Sequence, residues 1–179
     1  MRFIETEIEG CFIMEYDRFN DYRGYFTVPF NRDELNNHLA HPIDFVQDNM
    51  SLSYYGVTRG LHYQTGEHSQ SKLVTCIKGK VLDVAVDIRK ESKTFGKVVK
   101  VKLGQHTNRS LFIPKGCAHG FSTLTEEAIF YYKVDNHYNK ESESGIMYND
   151  PTLNIDWLIH PDLQIVHERD LSFPDFLSI

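Results

Sequence analysis

Cysteine is scarce in this sequence, and no motif is built from it. Cys11, Cys76 and Cys117 are odd in number and lack CxxC spacing. That excludes a fully paired disulfide framework and a zinc ribbon, and it suits a reducing, cytoplasmic setting. Positive charge is also short: 19 Lys and Arg against 25 Asp and Glu leave a net charge of -6. With no basic stripe to neutralise a phosphate backbone, no nucleic-acid partner is expected, although a few cations can still converge on one small anion. No apolar run approaches the length of a membrane span, so no membrane partner is expected. The opening residues, MRFIETEIEG, are too acidic and too short in their apolar run for a signal peptide. The patterns GxGxxG, GxxxxGKS/T and GxSxG are missing, which removes the usual grounds for a dinucleotide fold, a P-loop or a serine hydrolase. HxH and HExxH are missing too, and His62 and His68 stand six apart. A metal held by His62, His119 and an acid has no local motif behind it. Repeats, linkers and low-complexity runs are likewise not found.

The 179 residues, 41% of them hydrophobic and 25% charged, suit one soluble domain over residues 1–179 with a real core. The clearest pattern is alternation. In KVLDVAVDI, Leu82, Val84, Val86 and Ile88 point one way and Asp83, Ala85 and Asp87 the other. KLVTCI before it puts Lys72 at the head of a row with Val74 and Cys76. Further short strands are expected within 3–16, over 25–28 before Pro29, over 45–53, 98–103, 111–113 and 128–134. One short peripheral helix is expected over 31–39, with Asn31 as its cap and Glu34 completing a capping box. Many short strands and few helical periods predict an all-β sandwich or barrel.

The stretch that bears chemistry is GVTRGLHYQ, residues 56–64. Arg59 and His62 are three apart around Gly60, with Val57 and Leu61 available to root the segment. A fixed cation beside a titratable imidazole suits a site that grips an anion and moves a proton. A hairpin with an ordinary hydrogen-bonded histidine fits the same residues. Gln47 and Asn49 share one strand face and can read a polar ring, or simply bond each other. Tyr132 is a polar tip on the apolar face of Ala128, Phe130 and Val134. Together with Arg23, Lys72, His119 and Asp170, these groups suit cofactor-free proton transfer beside a carbonyl on a phosphate-bearing substrate.

Five blocks sharpen this: VQDNMSLSYYGVTRGLHYQ, SKLVTCIKGKVLDVAVDIRKESKTFG, IPKGCAHGF, FYYKVDNHY and NDPTLNIDW. In this order and over nearly the whole chain, the sequence resembles the dTDP-4-dehydrorhamnose 3,5-epimerase family. The resemblance implies a cupin-type double-stranded β-helix (jelly roll), a homodimer, a nucleotide-sugar substrate, and no metal or organic cofactor. It implies His62 as catalytic base, Asp170 as the acid that orients it, Tyr132 as proton donor on the other side of the sugar, and Lys72 as stabiliser of the keto oxygen. It implies Arg59 and His119 as sugar contacts. Gln47, Asn49, Arg23 and Tyr138 fall on the nucleotide side, and Glu143 and Arg169 on further binding positions, Arg169 in place of a usual lysine. Val28 stands where the family carries a glutamate of the nucleotide-binding set, which predicts looser choice of nucleobase. A single-centre epimerase, a sugar ketoisomerase and a non-catalytic nucleotide-sugar-binding cupin are the alternatives. Holding a base and an acid together favours catalysis over mere binding.

Overall fold

The computed structural model describes all 179 residues. Strands β1 (Arg2–Glu5), β2 (Phe12–Glu15), β5 (Gln47–Tyr54), β7 (Lys72–Lys78), β10 (Arg109–Ile113) and β12 (Glu127–Val134) form one antiparallel sheet in the order β1-β2-β10-β7-β12-β5. Strands β6 (Val57–Gln64), β8 (Lys80–Asp87), β9 (Val98–Gly104), β11 (Cys117–Thr123) and β13 (Glu143–Gly145) form a second, in the order β13-β6-β11-β8-β9, and β14 (Ile165–Val166) adds to β6 in parallel. A separate hairpin joins β3 (Arg18–Asp21) to β4 (Gly24–Thr27). The two sheets lie face to face as a jelly roll, the cupin-type double-stranded β-helix expected above.

Three apolar layers explain why these strands are so rich in Val, Ile, Leu and Phe. Between the sheets, Val74, Leu111 and Phe130 meet Val81, Val101 and Phe121. The outer face of the second sheet, with Leu82, Val84 and Val86, is covered by Ile146, Trp157 and Phe176 from the C-terminal segment. The outer face of the first, with Phe12, Leu73 and Phe112, is covered by Leu35. Leu35 lies on the helix α1 (Arg32–His38). Strand β8 is therefore buried on both faces, and Asp83 and Asp87 are wholly enclosed with it. For Asp87 the reason is plain: Arg89, Ser92 and Thr94 all donate to its carboxylate and clamp the loop that follows.

Helix α1 forms where expected, with Asn31 Oδ1 accepting from the backbone N–H groups of Asp33 and Glu34. The expected reciprocal bond from Glu34 is not made. Its carboxylate accepts from the Met1 ammonium at 2.7 Å instead, a charge-assisted partner that outcompetes a neutral amide.

Candidate active site

Strand β6 carries a bulge that decides the site. His62 lies opposite His119 on β11, but Arg59 lies opposite Phe121, so β6 holds one residue more than its partner between the two pairs. In a regular strand, residues three apart face opposite ways; the extra residue turns Arg59 and His62 into the same cavity. Gly60 makes this possible. Its φ is +133°, and a Cβ there would stand 2.6 Å from Gly120 Cα, so no larger residue fits the crossing of the two strands.

The cavity measures about 460 Å³ and opens between the sheets. From the second sheet, β6 supplies Arg59 and His62 and β11 supplies His119; from the first, β7 supplies Lys72 and β12 supplies Tyr132. The imidazole of His62 and the phenol of Tyr132 thus come from facing walls. Gln47 and Asn49 on β5 also line the cavity, with Gln47 Nε2 donating to Asn49 Oδ1 at 2.8 Å. At the mouth, Glu143 accepts from Tyr138 Oη at 2.9 Å and from Arg169 Nη1 at 2.8 Å.

Asp170 sits behind His62, 1% exposed, in a 3-10 turn over Glu168–Leu171. One carboxylate oxygen is 2.8 Å from His62 Nε2 and the other accepts from the Gly60 N–H at 3.2 Å. The same bulge therefore aims the histidine and holds its partner. Burial alone would raise the Asp170 carboxyl, but the His62 ring, the Gly60 N–H and Arg169 together hold it below the usual carboxylate range. A carboxylate can only accept, so Nε2 of His62 carries the proton and Nδ1 is the basic nitrogen.

Lys72 is enclosed, with Nζ 3.5 Å from the His62 carbonyl. Burial pushes its ammonium down to about 8, against the opposing pull of Asp83 and Glu143. Burial likewise lowers His119, whose Nε2 is 2.8 Å from Asp83 Oδ1. The Tyr132 phenol is raised by burial, which Arg59 partly offsets.

Arg23 alone among the expected site residues is not brought to the cavity. It lies on the exposed β3–β4 hairpin, paired with Asp21 at 2.5 Å, and Val28 follows the same hairpin with 41% of its surface exposed. The sequence reading passed over Asp83. Its signal was an acid in the middle of an apolar strand, which alternation alone assigns to an ordinary polar face. No three His, Cys, Asp or Glu cluster in a way that could hold a metal ion, and no helix is long and apolar enough to cross a membrane.

Comparison with known proteins identifies the family. The family described as dTDP-4-dehydrorhamnose 3,5-epimerase matches residues 5–178. The Escherichia coli K12 protein of that name is 50% identical over 88% of this chain and 85% of its own. The crystal structure of the Elizabethkingia anophelis enzyme superposes with a TM-score of 0.96 at 45% identity, covering 99% of this chain and 97% of that one. The Legionella pneumophila dTDP-6-deoxy-D-glucose-3,5-epimerase, solved in complex with dTDP-4-keto-L-rhamnose, gives a TM-score of 0.94 at 42% identity, covering 99% of this chain and 94% of that one. A match of this length, on a jelly roll whose sheets enclose the expected histidine, tyrosine and lysine, places the chain in the dTDP-4-dehydrorhamnose 3,5-epimerase family.

Proposed function

We propose that the chain inverts carbons 3 and 5 of a dTDP-linked 4-keto-6-deoxy sugar in rhamnose-type deoxysugar biosynthesis, by proton transfer without metal or organic cofactor. One observation carries the reading: a carboxylate-held imidazole and a half-buried phenol come from opposite walls of one cavity. The keto group at carbon 4 acidifies the hydrogens on carbons 3 and 5. His62 Nδ1 removes one of them, Asp170 stabilises the imidazolium that forms, and the negative charge moves to the keto oxygen. Lys72 meets that charge as a fixed cation; one such donor is worth roughly 3–4 kcal/mol in other enzymes. Tyr132 returns a proton from the other side, which inverts the carbon. Electrons balance within the substrate, so no redox partner enters.

The direct test is NMR of dTDP-4-keto-6-deoxyglucose in deuterated water with the protein. Deuterium at both carbons with inverted product is expected. Exchange at one carbon only would make it a single-centre epimerase, and binding without exchange would leave a binding protein. Running the same assay on sugars carrying other nucleobases reads the effect of Val28: looser choice is expected than in glutamate-bearing relatives, and a strict preference for dTDP would show that the remaining contacts suffice.

Lys72 sets the alkaline limit. Its ammonium is charged below its pKa and neutral above, and burial places that pKa at about 8. The value of kcat/KM, which reports the free enzyme, is therefore expected to fall as pH rises through about 8. A profile flat across that range would remove Lys72 from the role of charged oxyanion partner.

We also propose a homodimer. The outer row of β5 exposes Met50 (71%), Leu52 (47%) and Tyr54 (62%) on a strand at the end of its sheet, a surface that favours pairing with another copy. A second copy that packs its exposed β3–β4 hairpin against this cavity would bring Arg23 to the nucleotide. Sedimentation at twice the chain mass is expected, and a monomer at assay concentration would refute the dimer.

A further inference from the structure

Strand β8 holds two wholly buried acids, Asp83 and Asp87, and only Asp87 has a structural explanation. The Asp83 carboxylate makes one hydrogen bond, Oδ1 accepting from His119 Nε2 at 2.8 Å, and its Oδ2 is sealed from solvent with no partner. An enclosed, half-satisfied carboxylate costs stability, so its retention calls for a different account.

The chemistry of the pair supplies one. Asp83 as a carboxylate offers only acceptors, so the proton between it and His119 sits on Nε2. A second proton on the ring is disfavoured by burial and by the nearby Lys72 and His62 charges, against the pull of Asp83. That leaves Nδ1 as a lone pair. His119 lines the cavity, and Nε2 is its only ring nitrogen with a protein partner. The ring is held flat against Phe130, with centroids 5.9 Å apart and planes 20° from parallel. It stands directly across the strand pair from His62.

We propose that Asp83 is a positioning residue that fixes His119 as a hydrogen-bond acceptor toward the cavity, so that the site selects sugars bearing a hydroxyl on carbon 2 or carbon 3. This rests on the sugar-epimerase reading above. It gives His119 a task opposite to that of Lys72. Lys72 donates to the keto oxygen, whereas His119 accepts from a neighbouring hydroxyl. A sugar lacking that hydroxyl leaves the buried acceptor unpaired, and buried polar groups without a partner discriminate strongly. Asp83 has a second effect, because its charge helps keep the buried Lys72 protonated.

Two measurements test this. Nitrogen-15 NMR of the histidine-labelled wild-type protein at neutral pH is expected to show His119 with a protonated Nε2 and a bare, pyridine-type Nδ1. A protonated Nδ1, alone or in a cation, would overturn the proposal, and this readout needs no activity. The second is deuterium exchange at carbon 5, measured on dTDP-4-keto-6-deoxyglucose and on its 2-deoxy and 3-deoxy analogues. In the wild type, at least one analogue is expected to lose about ten- to a hundred-fold in kcat/KM. In Asp83→Asn the amide can donate to Nε2 and move the proton to Nδ1, which a hydroxyl can meet only by accepting, so the ratio between hydroxylated and deoxy sugars is expected to shift from its wild-type value. Equal loss on all three sugars in Asp83→Asn, or no discrimination in the wild type, would overturn it. If no 4-keto sugar exchanges at all in the wild type, the epimerase reading fails while the tautomer result still stands.

Discussion

Replacing His62 by Asn is expected to abolish hydrogen exchange at carbons 3 and 5 together. Asparagine keeps a polar side chain of similar reach but has no basic nitrogen, so general-base catalysis is lost outright. Positioned acid–base groups contribute about a hundred- to ten-thousand-fold, and the loss should reach the upper end because the other carboxylate-backed imidazole in the cavity, His119, is made less basic by its burial. Asp170→Asn should fall short of that loss but remain severe. The carboxylate holds the tautomer through Nε2 at 2.8 Å and also accepts from the Gly60 N–H. An amide there can present a donor to Nε2 and force the wrong tautomer. Time courses of deuterium incorporation measure both variants. Near-normal exchange in His62→Asn would place the base elsewhere.

Tyr132→Phe is expected to separate exchange from inversion. The ring packs beside Phe130, with centroids 6.1 Å apart, and phenylalanine keeps that packing while removing only the hydroxyl. Burial raises the phenol's pKa, so its neutral, proton-bearing form prevails at neutral pH. With His62 intact on the facing wall, the variant should still take a proton off and return a deuteron to the same face. Exchange should persist near the wild-type rate while inverted product falls by about a hundred-fold or more. Equal loss of both would make Tyr132 a substrate-positioning group. Unchanged inversion would make water the acid.

Much of the architecture was legible because alternation with a period of two, cut by Gly and Pro, marks strands directly. The Lys72–Asp87 stretch, the strand over 128–134 and the Asn31-capped helix all lie where the pattern put them. What escaped was whatever depends on a third layer. Alternation in β8 suggested one apolar and one mixed face. It could not reveal that the C-terminal segment covers the apolar side, which turns Asp83 inward beside His119. The geometry at Gly60 was only half visible. Arg59 and His62 could be paired by chemistry, but a spacing of three contradicts a regular strand, and only the bulge reconciles them. Arg23 shows the opposite limit. Its motif is plain in the sequence, yet the fold leaves it on an exposed hairpin, paired with Asp21, because a turn motif marks a hairpin without stating what that hairpin packs against.

The cover over the second sheet also sets an order of assembly. His62 and its carboxylate are separated by 108 positions, and the turn bearing Asp170 follows β14, which docks in parallel on β6. During synthesis, both walls of the cavity emerge well before the residue that orients the base. Contacts of such long sequence separation form late, since their loop-closure entropy must first be overcome. A nascent or partly folded chain can therefore present Lys72, His119 and Tyr132 around a formed cavity while its histidine remains an unaimed imidazole. Proton abstraction reaches its full rate only when the tail closes over the back of the sheet, so the rise of turnover during refolding should report the docking of the C-terminal segment.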